Sequence, residues 1–292
     1  MYGVPLLPRR AIVGLTNFAG VATYYFATRE RQTGMANLDV VFGDSKSMVE
    51  KKAILKKSFT SFARTMTDIF WFSKHTEART KKYQTFIPDH GAYFEARAQI
   101  IITAHAGNWE LIGLESGLRG VDVASVAAVT KNAVVDQLLN ELRQKTGQTI
   151  IARQGAMRTL ISRFRRNGKA AFVLDQNTSE EQGCIWVDFL GLPTPVSSAP
   201  AHLAYRTGTE LIFAFSQPVG GGKYEAHTGL VIQPPVYDKE QDQAAVVQAL
   251  TQQIVDVISA HIRRHPESWL WSYKHWRRIA PGSDPALYPT YS

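Results

Sequence analysis

Apolar residues in the first third of the chain recur at helical spacing. In SMVEKKAILKKSFTSFARTMTDIFWF, the residues Ile54, Leu55, Phe59, Phe62, Met66, Ile69 and Phe70 follow the period of an amphipathic helix. Lys51, Lys52, Lys56 and Lys57 take the polar side of its N-terminal half. Residues 1–86 therefore read as a helical segment, closed by a loop with a short strand or helix in TFIPDHGAYFEAR. From about Gln99 the pattern changes to short β-branched runs: QIIITAH, VDVASVAAV, QTIIAR, AAFVLDQ, CIWVDFLG, ELIFAFSQP and YEAHTGLVI. Amphipathic stretches at 109–118, 133–145, 155–167 and 198–207 lie between several of them. Strands alternating with helices of this length predict an α/β fold, with a mixed, largely parallel central sheet flanked by helices. SQPVGGGKYEAHTG supplies a hairpin-like return, so the later strands are expected to be antiparallel. A long amphipathic helix follows and ends before Pro266. Residues 87–292 are read as the α/β core, packed as one domain with the N-terminal helices.

The stretch Ala11–Thr28 carries no charge and follows Arg9 and Arg10. As a helix it is only about 27 Å long at ~1.5 Å per residue, short of a ~30 Å hydrocarbon core. Thr16, Asn17 and Thr23 dilute it, and no clean cleavage region follows, which argues against a signal peptide. Two readings stay open: a helix lying in a membrane surface, or one docked against the protein. The lysine row of the next helix is either a solvated face or one turned toward anionic headgroups, worth ~1 kcal/mol per basic residue there.

Composition narrows the function classes a little. With 292 residues, 45% of them hydrophobic, the chain buries a full core. Its formal charge of +8 favours anionic partners without choosing among them. A Walker loop, zinc-ligand spacing and an RNA-binding aromatic signature are all missing, so nucleic acid and metal are not expected. Cys184 stands alone, which rules out an internal disulfide and leaves it as a small packing residue.

The candidate chemistry sits in IIITAHAGNWELIGL. Sites in open α/β sheets gather at the carboxyl ends of strands, and His105 falls at such an end. Asn108 is a good N-cap for a helix starting at Trp109, which puts Glu110 in the favoured first turn. The turn between them brings five positions close in space. Glu110 is then expected to accept from one imidazole nitrogen and fix the tautomer, while the other nitrogen faces a substrate hydroxyl as a general base. Ala106 and Gly107 leave room for that substrate. A satisfied strand-end histidine beside an ordinary helix-start carboxylate is the plain alternative.

HAGNWE resembles the H-x-x-x-x-[DE] motif of glycerolipid acyltransferases, in particular the bacterial lipid A biosynthesis (late, lauroyl/myristoyl) acyltransferases. Further segments resemble that family in the same order: NLDVVFGD with the lysine-rich helix and SFARTMTDIF, then LRQKTGQTIIAR, GKAAFVLDQN, VDFLGLPTPVSSAPAHLAYRTGTELI and PESWLWSYKHWRR. The likeness runs from about Leu6 to Arg278. Many members carry a longer spanning segment at the N-terminus, and this chain is expected to begin at or inside it.

The resemblance implies transfer of a fatty acyl group from a thioester of acyl carrier protein, or of CoA, to a lipid hydroxyl. It implies no cofactor beyond that co-substrate, and no acyl-enzyme. An acidic carrier protein, an anionic lipid acceptor and the membrane surface are the expected partners. The expected place is the cytoplasmic face of the bacterial inner membrane, held peripherally or monotopically. Arg143 and Arg153 are candidates for the oxyanion or a phosphate, or else structural ion pairs. Asp175 and Gln176 end AAFVLDQ; Asp175 is a candidate to anchor an arginine, touch an acceptor sugar or cap a turn. Asn108 joins the candidate substrate or oxyanion contacts. Lys169 is expected in solvent. His75, His90, His202, His227, His261, His265 and His275 have no comparable setting. Trp269, Trp271, Tyr273 and Trp276, interleaved with Lys274, Arg277 and Arg278, leave three readings: a membrane interface, base stacking or a packed terminus.

Overall fold

Four helices lead the chain: α1 (Arg9–Phe26), α2 (Thr28–Phe42), α3 (Met48–Trp71) and α4 (Thr76–Tyr83). The structure is a computed structural model and describes residues 3–87, 91–127, 133–152 and 155–291. α3 opens on a capping box, in which Ser47 Oγ accepts from the Glu50 amide and Glu50 reaches back to the Ser47 amide. α1 buries Ile12, Thr16, Gly20 and Tyr24, four residues apart, against α3. Gly20 is needed there because a β-carbon would overlap the Thr60 backbone. The other side of α1 leaves Leu15, Phe18, Tyr25 and Phe26 exposed. No helix among the described residues is long and apolar enough to cross a membrane. Of the four lysines, Lys51 is drawn inward to Asp39 at 2.6 Å, while Lys52 and Lys57 stay exposed.

The core strands and helices follow in order: β1 (Gln84–Ile87), α5 (Gly91–Phe94), β2 (Gln99–Thr103), α6 (Trp109–Leu118), β3 (Val123–Ala127), α7 (Ala133–Gln144), β4 (Thr149–Ala152), α8 (Ala156–Phe164) and β5 (Lys169–Val173). Then come β6 (Cys184–Phe189), β7 (Leu192–Ser197), α9 (Ala199–Thr207), β8 (Leu211–Phe213), β9 (Phe215–Gly220), β10 (Lys223–His227), β11 (Val231–Ile232) and α10 (Gln243–Arg264). The central sheet has the order β11-β8-β2-β5-β3-β4, parallel throughout except for β11. β1, β10 and β9 form a second sheet, and β6 and β7 a hairpin. β2 is buried at all five positions, as a strand covered on both faces must be.

ELIFAFSQP and YEAHTGLVI each read as one strand, yet each is divided between two sheets. β8 and β11 stay in the central sheet while β9 and β10 pair with each other and with β1. Periodicity of two cannot reveal this, because alternation continues through a bend that changes hydrogen-bond partners. Tyr24, Leu38, Leu55 and Phe59 from the N-terminal helices share one apolar cluster with Ile100, Phe213 and Ile258. α10 buries Val247, Leu250, Ile254, Val255, Ile258 and Ile262 along one stripe, each worth about 1.5–3 kcal/mol.

One side-chain expectation is corrected, and one of three open readings is selected. Lys169 is 1% exposed rather than solvated; its ammonium bonds to the Tyr93 carbonyl and Gln99 Oε1, and burial lowers its pKa to about 8. The C-terminal aromatics are a packed terminus: Trp269, Trp271 and Trp276 are buried, and the Trp271 indole donates to the Pro266 carbonyl at 2.6 Å.

Candidate active site

The register of two neighbouring strands builds the site. Thr103 pairs with Val173 in the parallel β2–β5 ladder. Two residues further on, His105 therefore stands level with Asp175, both just past the carboxyl ends of their strands. His105 Nδ1 lies 2.7 Å from Asp175 Oδ1, and the His105 amide donates to Oδ2 at 2.9 Å. The Trp269 indole donates to the same Oδ2 at 2.8 Å. Asp175 is thus a buried carboxylate with three donors, oriented from two sides.

This differs from the sequence expectation. The partner of the imidazole is Asp175, seventy positions away, and not Glu110. Glu110 lies in the first turn of α6 as predicted, but its carboxylate takes Arg143 in a two-point contact, Nε to Oε2 at 3.0 Å and Nη2 to Oε1 at 2.6 Å. The Trp109 indole also donates to Glu110 Oε1 at 3.1 Å. A planar guanidinium matches a carboxylate fork better than one imidazole N–H can. Glu110 acts on His105 only through space.

Electrostatics follow the same geometry. Burial alone lowers the His105 pKa, but the charge and hydrogen bond of Asp175, helped by Glu110 and opposed by Arg143, leave it above its ordinary value. Burial alone raises Asp175, and His105, His275 and the Trp269 indole outweigh it, so Asp175 titrates below the usual carboxylate range. The neutral imidazole accordingly carries its proton on Nδ1, facing Asp175. Nε2 has no hydrogen-bond partner among the described residues, and the ring is 22% exposed, toward a cavity. Its ring meets Trp109 edge to face at 4.9 Å.

Below Asp175 lies a support that sequence reasoning missed. His275 stacks on Trp269 at 4.0 Å, with Nδ1 3.1 Å from the Asp175 carbonyl and Nε2 3.0 Å from that of Leu270. Burial holds its pKa near 4, so the neutral ring donates to one of the two. Asn177 donates to the carbonyls of Lys274 and His275, both at 2.9 Å, and so pins the C-terminal segment to the loop after β5. The only signal for this in the sequence is the tryptophan-rich PESWLWSYKHW, which does not say what the tryptophans touch.

The remaining candidates divide. Gln176 and Arg143 line the cavity beside His105. Asn108 is buried and its side chain is engaged within the fold. Its Oδ1 caps α6 by accepting from the Leu111 amide at 3.3 Å, and its Nδ2 donates to Asp68 at 3.2 Å. Asp68 is the hub of a buried cluster with the Arg9 guanidinium and the Tyr224 hydroxyl, so Asn108 ties the start of α6 to α1, α3 and β10. Among the described residues, Asp175 bonds to no arginine and does not line the cavity. Arg153, like His90, lies outside the described residues.

The cavity has a volume of about 480 Å³. Its rim is polar (His105, Glu110, Arg143 and Gln176), and its interior is largely apolar, including Ile101, Ile112, Val123, Leu160 and Leu203. A base at the mouth of a greasy slot can deprotonate an alcohol next to a bound hydrocarbon tail.

Comparison with known proteins finds acyltransferases. The sequence profile described as "Bacterial lipid A biosynthesis acyltransferase" matches residues 1–278. A phosphatidylinositol mannoside acyltransferase of Mycobacterium tuberculosis is 26% identical over 180 residues, covering 61% of this chain and 54% of that protein. The chain thus spans about half the length of that relative in the aligned part. A lipid A biosynthesis acyltransferase of Haemophilus influenzae is 22% identical over 284 residues, covering 95% of this chain and 85% of that protein. A phosphatidylinositol mannoside acyltransferase of Mycolicibacterium smegmatis is 24% identical over 238 residues, covering 79% and 74%.

Proposed function

The chain belongs to the bacterial lipid A biosynthesis acyltransferase family, and from that membership we propose that it moves a fatty acyl group from a carrier-protein or CoA thioester to a hydroxyl of an anionic glycolipid. The observation that supports this best is the Asp175–His105 pair at the mouth of the apolar cavity. His105 Nε2 takes the proton of the acceptor hydroxyl as its oxygen attacks the thioester carbonyl. Asp175 stabilises the imidazolium that forms and holds the ring in place. Arg143, steadied by Glu110, lies on the rim where it can face the developing oxyanion or an acceptor phosphate. Collapse of the tetrahedral intermediate breaks the C–S bond, and the imidazolium returns the proton to the leaving thiolate. No acyl-enzyme is required.

The acceptor follows the relatives' names in two directions. A lipid A precursor fits the profile and the Haemophilus protein, and a phosphatidylinositol mannoside fits the mycobacterial ones. The test is to incubate the purified protein with acyl carrier protein or CoA thioesters and each glycolipid, then weigh the products. Gain of one acyl chain on either acceptor is the expected result. No gain on either, with either donor, overturns the reading.

The site is read as working at a membrane surface, on the cytoplasmic face of the inner membrane, with an acidic carrier drawn by the net positive charge. The support is the exposed ridge Leu15, Phe18, Tyr25 and Phe26 on α1, with the Lys56 ammonium 5.2 Å from the Tyr25 ring centre. Aromatics beside cations suit the headgroup layer. Replacing Phe18 and Phe26 together by serine is expected to weaken sedimentation with anionic phospholipid vesicles by about 10-fold or more, since each buried aromatic is worth roughly 1.5–3 kcal/mol. Transfer to a detergent-dispersed acceptor should be little changed. Equal sedimentation of variant and parent would move the membrane contact elsewhere.

A further inference from the structure

One face of the central sheet leads inward from His105. On β2 that face carries Thr103, then Ile101, then Gln99. On β5 it carries Val173, Ala171 and Lys169, which are their register partners. By the two-residue alternation of a strand, His105 and Asp175 continue the same face outward. α6 covers it with Ile112 and Gly113, both lining the cavity.

Along β5, accessibility on this face falls inward from Val173. Val173 at the rim is 37% exposed, Ala171 is half-buried, and Lys169 is 1% exposed. Tyr93 lines the cavity yet is 0% exposed, as Ile101 and Val123 nearly are at 1% each. The slot therefore closes at Tyr93. From the level of Asp175 to that of Lys169 is six residues, about 20 Å at ~3.3 Å per residue.

The closure is held by several contacts. The Tyr93 hydroxyl bonds to Ser116 Oγ at 2.9 Å, and its ring packs edge to face on Phe94 at 5.0 Å. Behind it the buried Lys169 ammonium holds the Tyr93 carbonyl and Gln99 Oε1. A hydrocarbon going further would have to displace a buried cation from its acceptors, which is costly beyond steric clash.

The cavity has a second arm. β5 pairs with β3 only as far as Ala171 and Ser125, while β3 continues with β4 to Ala127. The sheet forks there, and the space passes to the opposite face beside Leu160, Phe172 and Leu203. The arm under α6 is the one that shares its face with His105 and ends on a fixed floor.

We propose that the acyl tail lies in the arm under α6 and that Tyr93, at its floor, sets the length of chain accepted, with Ala171 giving the width. This rests on the acyl-transfer reading above. The experiment measures transfer from a ladder of saturated acyl-CoA thioesters that differ by two carbons. Tyr93→Leu should move the optimum to longer chains and Ala171→Leu to shorter ones. The preference between adjacent chains should change by about 10-fold or more, the size of discrimination that a methylene commands in an apolar pocket. Should Tyr93→Leu fail to fold, Ala171→Leu decides the matter.

Binding of free saturated fatty acids to His105→Ala, followed by calorimetry, reads the slot without the chemistry. It should show the same shifts in length preference. An unchanged length order in Ala171→Leu, or a shift produced by Leu160→Phe in its place, overturns the assignment while leaving acyl transfer standing. If the unaltered protein transfers no acyl group and binds no fatty acid, the acyl-transfer reading and this inference fall together.

Discussion

Replacing His105 with alanine is expected to lower kcat for acyl transfer by about 10²–10⁴-fold, the usual share of a positioned general base. Thioester binding should persist, because the apolar interior is untouched, so KM should change far less than kcat. The fold should hold as well: the ring is partly exposed, and the backbone amide of residue 105 still bonds to Asp175. The unaltered protein should also show an acid limb in its rate profile. Neutral imidazole is the working form, and Asp175 raises the His105 pKa above its ordinary 6.5. Activity should therefore rise with pH through a midpoint above 6.5 and fall as the ring protonates below it. The alanine variant should lose that limb along with the rate. Full turnover in His105→Ala would dismiss the imidazole as the base.

Asp175→Asn is expected to lower kcat by a similar factor, about 10²–10⁴, for a different reason. Asparagine keeps the shape but presents an N–H₂ as well as a carbonyl. An amide that donates to Nδ1 places the imidazole proton on Nε2 and removes the base, the error known from aspartate-to-asparagine changes in serine protease triads. The lost negative charge also moves the acid limb to lower pH, because the charged ring is no longer favoured. A purely structural role for Asp175 would lower activity without moving the limb. Glu110→Gln serves as the comparison. It leaves the 2.7 Å contact between His105 and Asp175 in place; toward His105 it removes a charge that acts through space, while also weakening the Arg143 ion pair, so the limb should shift less. A larger shift in Glu110→Gln than in Asp175→Asn would restore Glu110 as the partner. Thermal melts of the variants separate loss of rate from loss of fold.

These two residues show where local pattern stops being informative. HAGNWE places a histidine at a strand end and a glutamate five positions on, and both lie where the pattern puts them. The pattern does not say which groups bond. Arg143 stands 33 positions from Glu110 and takes its carboxylate by two contacts, so the nearest acid in sequence is already engaged. Asp175 is equally visible as the end of AAFVLDQ, but as a candidate for other work. It reaches His105 because β5 is inserted beside β2 although β3 and β4 come between them in the chain. Trp269 and His275 arrive from the far end of the chain, the indole bonding to the same carboxylate and the imidazole to the backbone carbonyl of Asp175.

The class of the fold, the alternation of strands and helices, the hairpin return at 215–227, the amphipathic N-terminal helices and the position of His105 are all legible in the residue pattern. Each of these depends on spacing within a few residues: periods of two and 3.6, a cap, a strand end. The tertiary structure alone decided the partner of the imidazole, the burial of Lys169, the division of two apparent strands between sheets, and the floor of the slot. Those depend on strand order and register, which bring distant segments level with one another. No local periodicity encodes which strand becomes whose neighbour.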